Sequence, residues 1–220
     1  MRIFAILSAL AVAAVSQAIV LDAFDDGNMN SVISAVFTPT YTQSAATVPG
    51  GNRVVGQEIS VNLFGLTHAA VVTNGVFVSA SKSGVTAQAA VGYGYDNQGD
   101  PGTDLNLDLS AYNAFTWTVL SNDNPANMRM FLRSNGVDSN DVTKVIAPNM
   151  VSTSQTITFD FSDFIGVDFS DIDQIAMVID GTSDADTVVD TFEAVPEPGT
   201  MIALGAGLAA LAARRKRKTS

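Results

Sequence analysis

Short apolar runs alternate with clusters of turn residues along most of this chain. Val, Ile, Phe and Thr gather in the runs, and Gly, Asn, Asp and Pro separate them. Inside a run, polarity switches at every second residue. Phe115, Trp117 and Val119 fall on one face, Thr116 and Thr118 on the other. A period of two belongs to a strand with one face in a core. Strands are predicted over 19–24, 53–63, 69–73, 76–80, 85–91, 115–119, 128–132, 142–146, 156–161, 172–179 and 187–193. Asn74-Gly75, set between apolar runs, predicts a type I′ hairpin, because both central positions of that turn need φ > 0. Gly92 to Thr103 reads as a Gly/Tyr/Asp loop. Asp108 to Tyr112 and Asp160 to Phe164 look like two similar strand-exit turns. No sustained helical period appears between the chain ends. The expectation is an all-β fold, an antiparallel sandwich of jelly-roll type, with a barrel as the alternative.

The two ends break this pattern. Met1-Arg2 is followed by an apolar stretch from Ile3 to Val15 and by Ser16-Gln17-Ala18, small residues flanking the cut of a secretory signal. Cleavage by signal peptidase is expected after Ala18, with Ser16 as the alternative cut and a retained N-terminal anchor as the other reading. At the C-terminus, Val195-Pro196-Glu197-Pro198-Gly199-Thr200 precedes an uncharged run, Met201 to Ala213, and the cluster Arg214-Arg215-Lys216-Arg217-Lys218. The prolines enforce an extended, accessible stub. A 13-residue helix would span roughly 20 Å, short of a ~30 Å hydrocarbon core, so it enters a membrane but anchors poorly. The cations should stay cytoplasmic. The alternative is an amphipathic or nucleic-acid-binding tail. The order of Pro-Glu-Pro, apolar run and basic stop resembles the PEP-CTERM sorting signal. That resemblance implies an exported protein of a Gram-negative bacterium, held briefly at the inner membrane through 201–213. An exosortase-type enzyme would then process it for the cell surface or extracellular matrix. The expected division is a signal peptide at 1–18, a β-sandwich domain at 19–194 and a sorting signal at 195–220, with helices expected in both flanking signals.

Charge sharpens the picture. All 22 acidic residues lie between Asp22 and Glu197, while six of the 11 basic residues lie in the two signals, which leaves residues 19–198 near −17, against −11 for the whole chain. Such a surface repels nucleic acid and attracts cations. The chain has no cysteine, so disulfides, thiol catalysis and thiolate metal sites are excluded.

Candidate chemistry is sparse. His68 is the single histidine, no nucleophile elbow accompanies it, and it reads as a surface or edge residue. Ser79-Ala80-Ser81-Lys82 matches Ser-x-x-Lys but follows a β run instead of opening a helix. Carboxylate pairs suited to glycoside hydrolysis are too numerous to single out. Trp117 alternates in phase with core residues. Tyr93 and Tyr95 are the aromatics expected in an exposed loop, as sugar contacts or as simple packing. Calcium is the one cofactor candidate. Asp96 to Asp100 and Asp184 to Asp186 are acidic turns. If the first and last strands lie side by side, Asp22, Asp25 and Asp26 would approach Asp190 and Glu193, and calcium would relieve their repulsion. A solvated acidic surface is the alternative.

The opening Asp22-Ala23-Phe24-Asp25-Asp26-Gly27, the stretch Phe164 to Ile172 and the closing Asp190-Thr191-Phe192-Glu193 resemble jelly-roll domains of the galactose-binding and carbohydrate-binding-module kind. The combined expectation is a non-catalytic surface or matrix protein associated with exopolysaccharide. The alternatives are a carbohydrate-binding module or a polysaccharide-acting enzyme.

Overall fold

The computed structural model describes residues 17–149 and 153–196, together with Gly207. The signal's apolar stretch, Glu197, Pro198, the 201–213 run apart from Gly207, and the basic cluster lie outside the described residues. Among the described residues no helix is long and apolar enough to cross a membrane.

Fourteen strands form the domain: β1 (Ile19–Asp22), β2 (Met29–Ile33), β3 (Thr40–Ala45), β4 (Asn52–Asn62), β5 (His68–Thr73), β6 (Val76–Ser81), β7 (Val85–Tyr93), β8 (Ala114–Asn122), β9 (Ala126–Ser134), β10 (Val137–Asp138), β11 (Val142–Ile146), β12 (Gln155–Asp160), β13 (Ile172–Gly181) and β14 (Asp186–Val195). They make two antiparallel sheets. Sheet A runs β12-β8-β14-β6-β5-β2, with β1 added on β14, and sheet B runs β10-β9-β13-β7-β4-β3, with β11 added on β9. From β7 onward the long strands alternate between the sheets, so each crossing lays new chain over the shared core.

The expected strands are all present, and their alternation matches the pleat. β5 alternates strictly between buried and half-buried residues, and in β9 every second residue is buried, with half-buried residues and exposed Asn127 between. In the Asn74-Gly75 turn both residues have positive φ, 50° and 80°. The core between the sheets is aromatic. The rings of Trp117 and Phe192 stack at 3.9 Å, Phe192 meets Tyr93 at 5.7 Å, and Phe115 joins them at 5.4 Å. Trp117 is fully buried and its indole N–H donates to Met130 Sδ at 3.1 Å, so its polar tip has a partner inside the core.

Three segments differ from the reading of the sequence. β2, of mixed polarity, and β3, mostly polar, are uncharged strands that the reading of the sequence did not place. β7 continues two residues past Val91 and carries Tyr93 into the core. His68 is fully buried on β5, not at the surface; its Nδ1 lies 3.1 Å from Ser81 Oγ, and burial pushes its pKa down to about 4. The similarity of the exit turns rests on a backbone bond, Tyr112 N–H to Leu109 and Phe164 N–H to Phe161. The side-chain cap of Asp108 on Ser110 recurs not at Asp160 but eight residues beyond it, at Asp168 on Ser170.

Candidate binding groove

The outer face of sheet B carries a groove of about 230 Å³. Strand register builds it in three rows. One row reads Gln43, Val54, Gly92, Ala176, Phe131. The next reads Tyr41, Gly56, Ala90, Val178, Arg129. The third reads Glu58, Gln88, Asp180. Small residues fill the middle of the first two rows and large ones stand at their ends, so the sheet surface is hollow along its centre.

The glycines seat the aromatic walls. A Cβ on Gly92 would lie 2.9 Å from the Tyr95 ring, and one on Gly56 would lie 3.0 Å from the Tyr41 ring. Each tyrosine therefore rests directly on backbone that a side chain would otherwise cover. Gly99 adds a second bed for Tyr41, at 2.5 Å from such a Cβ, and its φ of +82° suits glycine. Tyr95 also meets Phe131 edge-on at 6.4 Å. Burial, reinforced by Asp138, pushes the Tyr95 hydroxyl pKa up, so it stays a neutral donor.

The polar row is a connected network. Arg129 donates from Nε to Asp180 at 2.5 Å, from Nη1 to Asp141 at 2.9 Å and from Nη2 to Gln88 Oε1 at 3.3 Å. Gln88 in turn donates to Glu58 at 3.0 Å. The bond to Asp180 favours the charged form of Arg129 and raises its pKa. Side chains so tied keep one orientation, and the groove presents amide and carboxylate groups beside aromatic faces.

The residues singled out from the sequence are dispersed by the fold. Tyr95 lines the groove. Tyr93 does not: it is fully buried and its hydroxyl donates to Asp22 at 2.7 Å. Its place in the core follows from phase, since Val85, Ala87, Ala89 and Val91 point the same way. Tyr41 was missed because its strand lacks an apolar run. Small residues at alternate positions of two neighbouring strands, Gly56 on β4 and Ala90-x-Gly92 on β7, were the available signal.

The acidic set is also dispersed. β1 does pair with β14, with Val20 opposite Glu193 and Asp22 opposite Phe192. Asp22, however, turns inward. Its carboxylate accepts Arg53 Nε at 2.6 Å, Arg53 Nη2 at 2.5 Å and the Phe24 N–H at 2.7 Å, besides Tyr93. Burial is the largest single influence on Arg53 and by itself would lower its pKa; the hydrogen bonds and negative charge of Asp22, with Tyr93, together outweigh it and raise the pKa. Asp26 accepts the N–H and hydroxyl of Thr47, which lowers its pKa. The repulsion that calcium was expected to relieve is thus met at Asp22 by a buried guanidinium. Among the described residues no three His, Asp or Glu side chains gather in a way that could hold a metal ion. Asp184 caps Gly84 at 2.6 Å, Asp186 caps Ser81 at 3.0 Å, and Asp96 caps Gln98 at 2.8 Å.

Solved structures similar to this chain include a family 11 carbohydrate-binding module of a cellulosomal cellulase of Clostridium thermocellum, at 15% identity over 82% of this chain and 95% of that one, with a TM-score of 0.43. The family 11 module from Clostridium thermocellum in complex with a β-1,3-1,4-mixed-linked tetrasaccharide aligns at 14% identity over 81% of this chain and 95% of that one, with a TM-score of 0.42. A family 29 carbohydrate-binding module aligns at 10% identity over 71% of this chain and 88% of that one, with a TM-score of 0.37. Likeness at this level transfers no residue to the groove. No curated protein matches the chain.

The C-terminal end of the domain is sharply drawn. Val195 is paired with Ala114 in β8 and its carbonyl accepts the Asn113 N–H at 3.0 Å. Pro196, which cannot donate, is the first residue beyond the sheet. The chain that starts at this boundary, residues 194–218, matches the PEP-CTERM protein-sorting motif.

Proposed function

We propose that this chain is an exported, non-catalytic surface protein whose sheet B groove holds a polysaccharide strand. The sorting motif supports export to the cell surface and processing by an exosortase-type enzyme. The groove supports the ligand. Sites that engulf a small ligand have volumes of ~300–1,000 Å³, and this one, at about 230 Å³, is an open trough suited to part of a polymer. Sugar rings offer apolar faces and hydroxyl edges. Tyr41, Tyr95 and Phe131 meet the faces, and Glu58, Gln88 and Arg129 meet the edges. The observation that carries the reading is the seating of two tyrosines on glycines beside a fixed polar row.

Glycan-array binding of the full-length chain in detergent tests it. The wild type is expected to retain a subset of neutral glycans. Changing Tyr41 and Tyr95 to Ala is expected to weaken retention at least about tenfold, equivalent to ~1.4 kcal/mol. A wild type that retains no glycan removes the ligand reading and leaves the surface role. Processing is tested separately. Pro196→Ala with Pro198→Ala is expected to leave export intact and to strand uncut protein in the membrane, as read by intact mass. A surface-exposed wild type that still weighs as residues 19–220 would sink the processing step.

A further inference from the structure

We infer that a second copy of this chain docks along the β2 edge, forming a two-fold dimer once the sorting tail no longer holds the chain in a membrane. β2 and β3 are the outermost strands of the two sheets on one side of the sandwich. No charged residue occurs from Asn28 to Asn52, so neither strand carries the charge that normally blocks an open edge. The opposite side is protected by Asp138, Asp141, Lys144 and Asp160.

An apolar ridge adjoins this open side. Phe37, Leu63 and Phe64 are 71%, 74% and 72% exposed, and Val32 on β2 is 55% exposed. The ridge is built, not loose. Asn62 donates to the Ser34 carbonyl at 2.7 Å and to the Leu66 carbonyl at 2.8 Å, and accepts the Leu66 N–H at 2.8 Å. The Phe37 N–H donates to Ile59 at 2.9 Å. The Phe64 ring lies over Gly84, 3.0 Å from where a Cβ would stand. The outward face beside the edge continues apolar through Val71, Val78 and Val188, which are in register. Rigid exposed apolar surface of this extent marks a contact site.

Charge identifies the occupant. With a domain near −17, two copies repel over most approaches, and the uncharged margin is where they can meet. An antiparallel edge strand is complementary to its own two-fold copy. The lipid at the tail is the wrong partner, because the ridge stands at the far end of the domain. It flanks β5's start at His68, opposite Ser81 and close to Asp186, whereas the tail leaves after Val195 at the other end of β14. Ten residues of strand separate these ends by roughly 30 Å.

The geometry sets the timing, and this step rests on the tail processing proposed above. Antiparallel pairing of β2 with β2 points the two domains in opposite directions. Copies held in one membrane by their tails all point the same way. Release of the tail is what frees them to pair.

The chain lacks cysteine, so single cysteines report the contact directly. Asn30→Cys and Val32→Cys, made one at a time at the two exposed positions of β2, are expected to cross-link the exported protein to its own copy, and not the uncut form in the membrane. Sedimentation of the full-length chain in detergent is expected to show a dimer that Val32→Lys or Phe64→Asp dissociates and that Thr156→Lys on β12 leaves intact. Unchanged melting of these exposed-site variants confirms that folding is unaffected. A monomer at high micromolar concentration overturns the proposal, as does a dimer indifferent to both edge changes. Cross-linking of uncut membrane protein would overturn the timing alone.

Discussion

Arg53 sits where strand patterning asks for an apolar residue. It is fully buried; its guanidinium and the Tyr93 hydroxyl of sheet B both donate to the Asp22 carboxylate of sheet A, while its Nη1 donates to the Asp26 carbonyl at 2.9 Å. It also lies 5.0 Å from the Phe24 ring centroid. The acidic opening of the domain is thus a wrapper for one cation. Removing one partner of such a pair costs about 3–5 kcal/mol, because the other is left charged and dry. Arg53→Met is therefore expected to lower Tm by roughly 10 °C, and the double change to Asp22→Leu with Arg53→Met to cost less than either alone. A single change that leaves the melting curve in place would mean that Asp22 finds water. His68 makes the opposite kind of statement. Its folded pKa, about 4, is below the unfolded value near 6.5, so on acidification the unfolded chain takes up the proton first. The stability it protects is complete above about pH 6.5 and is lost as pH falls toward 4, by ~3 kcal/mol. Denaturant midpoints measured from pH 7 to pH 4 check this: His68→Leu is expected to flatten the decline over that window, and a decline of the same size without the imidazole would assign it to carboxylates.

Among the elements, β7 decides most. Its inward residues build the core and its outward residues, Gln88, Ala90 and Gly92, form the groove floor. Gly92→Ala places a carbon 2.9 Å from the Tyr95 ring, so the ring must lift. The expected outcome is weaker glycan retention with a Tm change of only a few degrees, measured on the same preparation; full retention would show that Tyr95 adapts. β7 also shows how far the sequence could be read. Alternation located its body, but Gly92 and Gly94 disguised its end as loop, and the continuing phase that buries Tyr93 was passed over. β2 and β3 were illegible for a different reason. Met29-Asn30-Ser31-Val32-Ile33 and Thr40-Tyr41-Thr42-Gln43-Ser44-Ala45 pair on one side only, so little of their surface needs to be apolar. Side-by-side placement of the first and last strands was legible, while the inward turn of Asp22 depended on a cation 31 residues away, which no local pattern announces.

For the molecule as a whole, net charge sets the response to ions. Self-repulsion, near −17 over residues 19–198 and −11 with both signals attached, is relieved by screening, and the described carboxylates form no three-residue metal cluster. Calcium and magnesium are accordingly expected to raise Tm by equal amounts at equal ionic strength. A rise specific to calcium would reveal a built site. A further consequence follows from the position of β14, which lies inside its sheet, with β8 on one side and β6 and β1 on the other. A polymer gripped in the groove and a tail fixed in a membrane would pull the domain from two places. The tail's share of that load enters at Val195, along the length of β14. Its ladder bonds are then strained together in shear, and none can be peeled away ahead of the next. β1, whose Ile19 lies opposite Ala194, has no load on it once the signal is cut, and acts as a clamp on the loaded strand. Drawn through its C-terminus in a single-molecule force experiment, the domain is expected to resist at high force and give way in one event, and deleting Ile19 to Leu21 is expected to lower that force.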